Sequence, residues 1–423
     1  MMKILKLLLL FFFILSCSSG AFEIQISAFL ATAENDYLLP YQNEKIHFLN
    51  SSSSNTPFLD RVEFRTESDE FEINRQRYSV RLYPNGWGET EAGKKIYDVT
   101  LQFNKTQYDL LFHQALKKRY TLIVDFLHTG TMIELHKKLM VLYEDRVTAF
   151  KKNINSLDFD INDLIEAEDA LINLKLELMD MESMKRGIED VIRVRLNAKE
   201  SIKFDTDKII GISFIEKNLY QFNRTPDMDN VYLRNSSLSL ELARSRYNLE
   251  KSENKRFISF FEASYDNEQR YDSEEAFSLQ LGVNLPFINS NRLEINRRKL
   301  RYLAEKGENE NLKARLSENL QIVTNVLKSF IRKHKVLLKK KENDHIESSI
   351  KTYSQIEGLN PMILLKIKES SLKRDIALER IKYEIFKKYI ELLDVTGRLS
   401  DKPLKNYISM DLEEVTTCKG EMK

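Results

Sequence analysis

With 423 residues the chain is long enough for two or three domains, yet 12 Gly and 7 Pro are few for compact folds of that size. Charged residues make up 30% and nearly cancel, 65 Lys and Arg against 64 Asp and Glu, for a net charge of +1. That balance argues against a dedicated nucleic-acid binder, and high charge with few helix breakers points to long solvated helices.

The chain opens MMKILKLLLLFFFILSCSSG. Lys3 and Lys6 precede an apolar run from about Leu7 to Leu15, which fits a secretory leader and is too short for a stop-transfer span. Residues 1–16 are therefore read as a signal peptide. Ile14-Leu15-Ser16-Cys17 resembles a bacterial lipobox, which would make Cys17 the lipid-bearing first residue of the mature chain. An ordinary cleaved leader with an incidental cysteine is the alternative. Cys418 is the only other cysteine, so a disulfide is not part of the expected design. His47, His113, His128, His136, His334 and His345 form no compact cluster with carboxylates or cysteines, and neither a metal site nor a cofactor is expected.

Residues 17–58 follow as an anchor segment with a short entrance helix, broken by SSSSNTP from Ser51 to Pro57. In 59–84, DRVEFRT and RYSVRLY alternate polar and apolar residues around a polar turn and read as a β-hairpin. After Pro84 a helical run extends from about Glu89 to Asn155, breaks at Ser156-Leu157-Asp158-Phe159-Asp160 and resumes to about Leu196, so 85–198 is a long helix pair. Residues 199–255 are a linker and an ascending helix. In 256–286, FISFFEASY and FSLQLGVNL form a second hairpin ending at Pro286. Residues 287–399 are a second helix pair, broken at Glu357-Gly358-Leu359-Asn360-Pro361, and 400–423 are a polar tail, either disordered or part of a belt.

The chain is thus written twice. Pro84 to Asp158 and Pro286 to Gly358 are nearly equal intervals, each a strand-to-helix junction followed by a helix and a turn. The helices carry heptad-like seams: Leu122, Phe126, Ile133, Met140, Tyr143, Val147 and Phe150 in the first, Leu316, Leu320, Val323, Leu327, Phe330 and Leu337 in the second. A helix of about 65 residues is roughly 100 Å long, which no ordinary globular domain needs. Strands of about 9 to 11 residues with one apolar face suit a transmembrane β-barrel, and open edges are not tolerated in lipid. Four strands would therefore need other copies of the chain to close.

This order of helix, strand, strand, long helix and returning helix, repeated behind an export signal, resembles the TolC-type outer-membrane efflux proteins. Phe277 to Leu300 and Ile356 to Leu399 carry the resemblance most clearly; Phe29 to Asn50 and Asp160 to Leu178 match the entrance and first returning helices. The resemblance implies a mainly α fold with a membrane β-barrel portion. Long antiparallel coiled-coil helices would form a periplasmic α-barrel, and four strands per protomer would join a trimeric 12-stranded β-barrel. It also implies a passive channel-tunnel for efflux or type I secretion, embedded in outer-membrane lipid and partnered by a periplasmic adaptor and an inner-membrane transporter. The aspartate pair that rings the tunnel of some members falls here near Leu364 and Ile367 and is not carried over. A periplasmic coiled-coil lipoprotein serving as adaptor or scaffold is the rival reading.

Candidate functional residues follow from this layout. Asp158, Asp160, Asp163 and Glu166, with Gly358, Asn360 and Pro361, lie at the two helix turns that would form the periplasmic tip and gate. Carboxylate rings there could favour cations, while the plain alternative is that Asp160 caps a helix and Asp163 sits in its first turn. Arg61, Arg65, Arg77 and Arg81 alternate with apolar residues and would face the lumen, either biasing it towards anions or pairing with Glu63 and other carboxylates. Pro84 and Pro286 mark the barrel-to-tunnel junctions, with Trp87 nearby at the membrane interface or packed into the joint. No catalytic constellation is present, and an enzyme is not expected.

Overall fold

The structure is a computed structural model describing residues 22–52, 57–68, 76–152, 154, 159–206, 208–219, 229–266, 277–285, 291–343 and 361–415. In chain order the elements are β1 (Phe22–Ile24), α1 (Ile26–Ala31), α2 (Leu39–Ser51), β2 (Leu59–Ser68), β3 (Gln76–Pro84), α3 (Glu89–Lys152) and α4 (Ile161–Leu196). Then come β4 (Ile202–Phe204), α5 (Ile212–Asn218), α6 (Val231–Glu253), β5 (Ile258–Asp266), β6 (Phe277–Val283), α7 (Arg292–Asn343) and α8 (Pro361–Val395). The chain divides into two compact units, and α3 and α7 contribute to both. No described helix is long and apolar enough to cross a membrane.

One unit comprises Tyr37–Leu111 and Pro226–Ser317. Its sheet is antiparallel in the order β2-β3-β5-β6, so each sequence hairpin supplies two neighbouring strands. The halves repeat in detail: the Asn85 N–H donates to the Phe58 carbonyl at 2.9 Å, and the Asn284 N–H to the Phe257 carbonyl at 2.7 Å. A register irregularity follows each phenylalanine, at Leu59/Arg61 and at Ile258/Phe260. By this pairing Asn85 is equivalent to Asn284, which places Pro84 directly before the conserved bond of its half. Pro286, expected as its twin, comes two positions after Asn284 and lies outside the described residues. At the first joint Arg256 donates to Glu89 at 2.7 Å and to Asn85 at 3.2 Å, tying the start of one hairpin to the helix that leaves the other.

Helices α2, α3, α6 and α7 of this unit stand in a row. Gln42 on α2 donates to the Asn104 carbonyl on α3 at 2.8 Å, Arg234 on α6 reaches Asp109 on α3 at 2.7 Å, and Asn309 on α7 donates to Ser236 on α6 at 3.0 Å.

The other unit comprises Met1–Asp36, Phe112–Thr225 and Glu318–Lys423. Lys137–Glu182 and Lys175–Glu144 join α3 to α4, Tyr383 donates to Asp125 between α8 and α3, and Lys341–Asp375 joins α7 to α8. The row here is α4, α3, α8, α7. Because α3 packs on two sides, its buried positions are not the single seam read from spacing. Phe126, Ile133, Tyr143 and Val147 are buried, but Leu122, Met140 and Phe150 are half-buried, with Ile123 and Leu139 buried beside them. Met132, Leu139 and Tyr143 share one cluster with Leu174 of α4 and Ile376 of α8. On α7, Leu316, Leu320, Val323 and Leu327 are buried, and Ile331 takes the buried place next to half-buried Phe330.

A small belt wraps this helical row. β1 pairs in parallel with β4, and the Phe204 ring meets Phe126 edge-on at 5.5 Å and Phe29 at 5.8 Å. Asn197 in the left-handed region ends α4 and turns the chain towards β4. The polar tail is built in as far as residue 415. Tyr120 donates to the Lys405 carbonyl and accepts from the Tyr407 N–H, and the Ile210 N–H donates to the Ile408 carbonyl.

The belt is pinned by a buried charge cluster. Arg119, 2% exposed, and Arg195 both donate to the same oxygen of Asp36, at 3.1 and 3.0 Å, and Arg119 also donates to the Thr32 and Ala115 carbonyls. Burial opposes ionisation of Asp36, but the two guanidinium bonds outweigh it and hold the carboxyl below its ordinary range. A depressed native pKa contributes stability above the unfolded carboxylate pKa and loses it as pH falls through the native value. Asp36→Asn should therefore cost about 3 kcal/mol, since it strands a buried cation. Denaturant unfolding should show the loss at neutral pH, and the variant should respond less to acidification than the native chain.

Candidate functional site

The sheet register sorts its side chains into two faces. Phe64, Val80, Ala263 and Leu279 form one cross-strand row, and Val62, Leu82, Phe261 and Leu281 the next. This face is uncovered in the protomer, with Phe64 82% and Leu279 86% exposed. Such a continuous apolar surface is too large for a water-facing sheet of a monomer. On the opposite face run the rows Glu63-Arg81-Glu262-Gln280, Arg65-Ser79-Ser264-Ser278 and Glu67-Arg77-Asp266. Gly282 on this face lies beneath the Phe260 ring, where a Cβ would collide with the ring and with Ser259.

The sequence-predicted arginines are brought together on that polar face and are paired. Glu63 accepts from Arg61 at 2.9 Å, Arg65 at 2.8 Å and Tyr83 at 3.0 Å. Arg81 donates to Glu262 at 2.6 Å, and Arg77 donates to Ser264 at 3.2 Å. The described face carries four arginines and four carboxylates, Glu63, Glu67, Glu262 and Asp266. An anion bias inferred from the arginines alone thus has no net charge behind it. Glu262 and Asp266, the β5 neighbours of Arg81 and Arg77, sit in the other hairpin, far along the chain, and no local pattern linked them to these arginines.

The tip residues are placed in part. Asp160 is the N-cap of α4, accepting from the Asn162 N–H at 2.9 Å, with Asp163 in the first turn. Asp163 and Glu166 are exposed, and Pro361 opens α8 at a position that needs no N–H donor. Asp158, Gly358 and Asn360 lie outside the described residues, as do Cys17 and Pro286. Trp87 is almost fully exposed rather than packed into the joint.

Three buried polar junctions had no signal in the sequence. Glu369 on α8 accepts from Tyr143 on α3 at 2.6 Å and from Lys373 at 2.6 Å, with Arg146 at 3.4 Å. Burial would raise its pKa, yet the Lys373 and Tyr143 bonds lower it. His113, fully buried, lies between Asp394 at 3.1 Å and Ser400 at 3.0 Å, and Lys117 reaches the same Asp394 at 2.6 Å. His128 stacks on Tyr383 at 4.0 Å on the wall of a half-open cavity of about 780 Å³ between the belt and α3, α7 and α8. His334 lines the same cavity, with its pKa lowered by burial and by Lys382. Among the described residues no three His, Cys, Asp or Glu come together as metal ligands.

No family model and no curated protein sequence matches the chain. Solved structures do match in three dimensions. The outer-membrane channel OprN superimposes with a TM-score of 0.64 at 9% identity, over 88% of this chain and 89% of that one. The chain has the TolC-type outer-membrane channel fold. The open state of the Neisseria gonorrhoeae MtrE outer-membrane channel gives 0.61 at 11% identity, over 88% of each chain. VceC, an outer-membrane protein of Vibrio cholerae, gives 0.60 at 10%, over 88% of this chain and 96% of that one.

The paired polar face makes a definite electrical prediction. Arg65→Gln, Arg77→Gln and Arg81→Gln together should leave carboxylates in excess and shift the reversal potential of a planar-bilayer channel towards cation selectivity. An unchanged potential would show that this face does not line the conducting path.

Proposed function

We propose that the chain is an outer-membrane exit duct for efflux or type I secretion. Three copies close twelve strands around a lumen and continue the helices as a periplasmic tunnel. The duct is passive and works with a periplasmic adaptor and a proton- or ATP-driven inner-membrane transporter. The observation that carries this reading is the four-stranded sheet, with an uncovered apolar face and a charge-balanced polar face, joined directly to long helices. An uncovered apolar face suits lipid, and paired charges suit a wet lumen. A periplasmic scaffold has no use for either. Cys17, as a lipid anchor, belongs to this proposal.

In this reading the ends of α4 and α8, near Asp160 and Pro361, move apart when the adaptor docks, because helix ends with few packed neighbours cost least to displace. The Glu369 junction fastens α8 to α3 about two turns from Pro361, so it opposes that movement. Asp163 and Glu166 would then stand at the mouth.

Two measurements test the proposal. Detergent extraction should find the protein with outer membranes, and native mass measurement should give three chains; a soluble monomer would overturn the channel reading. Glu369→Ala should raise the conductance of the isolated channel in planar bilayers by weakening the α3–α8 attachment. Equal conductance would show that opening does not separate these helices.

A further inference from the structure

The half-open cavity of about 780 Å³ lies wholly within one compact unit, its walls drawn from α3, α5, α7, α8 and the belt segments near Thr206 and Ile408. That volume falls in the roughly 300–1,000 Å³ range of sites for small organic molecules. One side of it is apolar: Leu127 of α3, Ile209, Ile212 of α5, Leu338 of α7 and Phe386 of α8. The rings of His128 and Tyr383, 4.0 Å apart and 15° from parallel, add a flat patch to the wall. Tyr383 is held in place by its hydrogen bond to Asp125. His128 Nδ1 is shut off from water without a hydrogen bond, so stacking rather than polar bonding at that atom positions the ring.

The polar lining is basic where it is least compensated. Both glutamates of the cavity already have cationic or ionisable neighbours: Glu216 pairs with Lys335 at 2.7 Å across α5 and α7, and Glu379 lies 3.6 Å from His128 and 3.9 Å from Lys382. Lys382 of α8 and His334 of α7 stand close enough that the ammonium, together with burial, keeps the imidazole's pKa low. That corner therefore joins a cation to a group prevented from becoming one. An anion placed there gains attraction to Lys382 and relieves the repulsion that His334 feels on protonation, whereas a cation would meet like charge.

We propose that this cavity is a binding site for a small organic anion with a planar apolar body, its rings against the His128–Tyr383 patch and its anionic group at Lys382 and His334. Apolar walls supply most of the contact area, and the two basic side chains fix the orientation. The site is complete within one protomer and does not rest on the channel reading. An occupant touches α5, α7 and α8 together, so binding holds the belt more firmly against both long helices.

The probe is naphthalene-2-sulfonate, which stays ionised at every working pH, and naphthalene-2-sulfonamide is its uncharged match. Equilibrium dialysis against the full chain in lipid nanodiscs, with empty nanodiscs subtracted, should find one sulfonate per chain with a dissociation constant below about 1 mM. The sulfonamide should bind about tenfold more weakly. Lys382→Gln, a change at an exposed residue, should weaken the sulfonate about tenfold by removing a charge-assisted hydrogen bond. Leu127→Trp should abolish binding by filling the apolar side, with helix content by circular dichroism unchanged. Binding no greater than to empty nanodiscs would overturn the proposal. So would a sulfonamide as tight as the sulfonate, or full sulfonate binding by either variant. None of these outcomes alters the channel reading, which the mass and conductance measurements decide separately.

Discussion

A four-stranded antiparallel sheet with one bare apolar face cannot satisfy itself. Its outer strands keep unpaired backbone groups, and in lipid each such group costs several kcal/mol. Most features of the unit around it follow from that constraint. The polar face must be wet or internally paired, and it is both balanced in charge and cross-linked by Glu63 and Glu262. The apolar face needs a non-aqueous neighbour. The edges, β2 and β6, need further strands.

The helical units solve a different problem, that of holding long amphipathic rods in a fixed order. Exposed ion pairs such as Lys175–Glu144 are numerous but contribute little individually. Order comes from the few buried junctions, where a carboxylate is shared between elements: Asp36, Asp394 and Glu369. Each joins residues far apart in the chain, and removal of one partner leaves the other without compensation in a site of low polarity.

Much of the architecture was legible because it rests on period. Alternation over Arg77 to Tyr83 and Phe277 to Val283 dictates a sheet face, and the doubled layout fixes which segments correspond. What was not legible depends on pairing across distance. The sequence left Arg77 and Arg81 open between biasing a lumen and pairing with Glu63 and other carboxylates, because Glu262 and Asp266 come beside them only through the β3–β5 register. The seam read from spacing passed over Ile123 and Leu139, which are buried, because α3 has neighbours on two sides, whereas a heptad assumes one. His113, one of six histidines that form no cluster in the sequence, is a buried link between α3 and α8. The tail looked polar because its buried apolar residues, Tyr407, Ile408 and Val415, are few and irregularly spaced.

The clamp at Asp36 sets the mechanics of α4. Both arginines use one carboxylate oxygen, so the last turn of α4 shares a fixed point with α1 and α3. Towards its start α4 is held by a small cluster around Leu164 and Ala167 and by exposed pairs. A helix of 36 residues is about 54 Å long. With its base fixed it is a lever arm: a pivot of about 5° at the base sweeps its far end through roughly 5 Å, close to one helical pitch. A slight repacking at the buried ion pair would thus be magnified along α4 as far as its contacts with α3 around Leu174 yield.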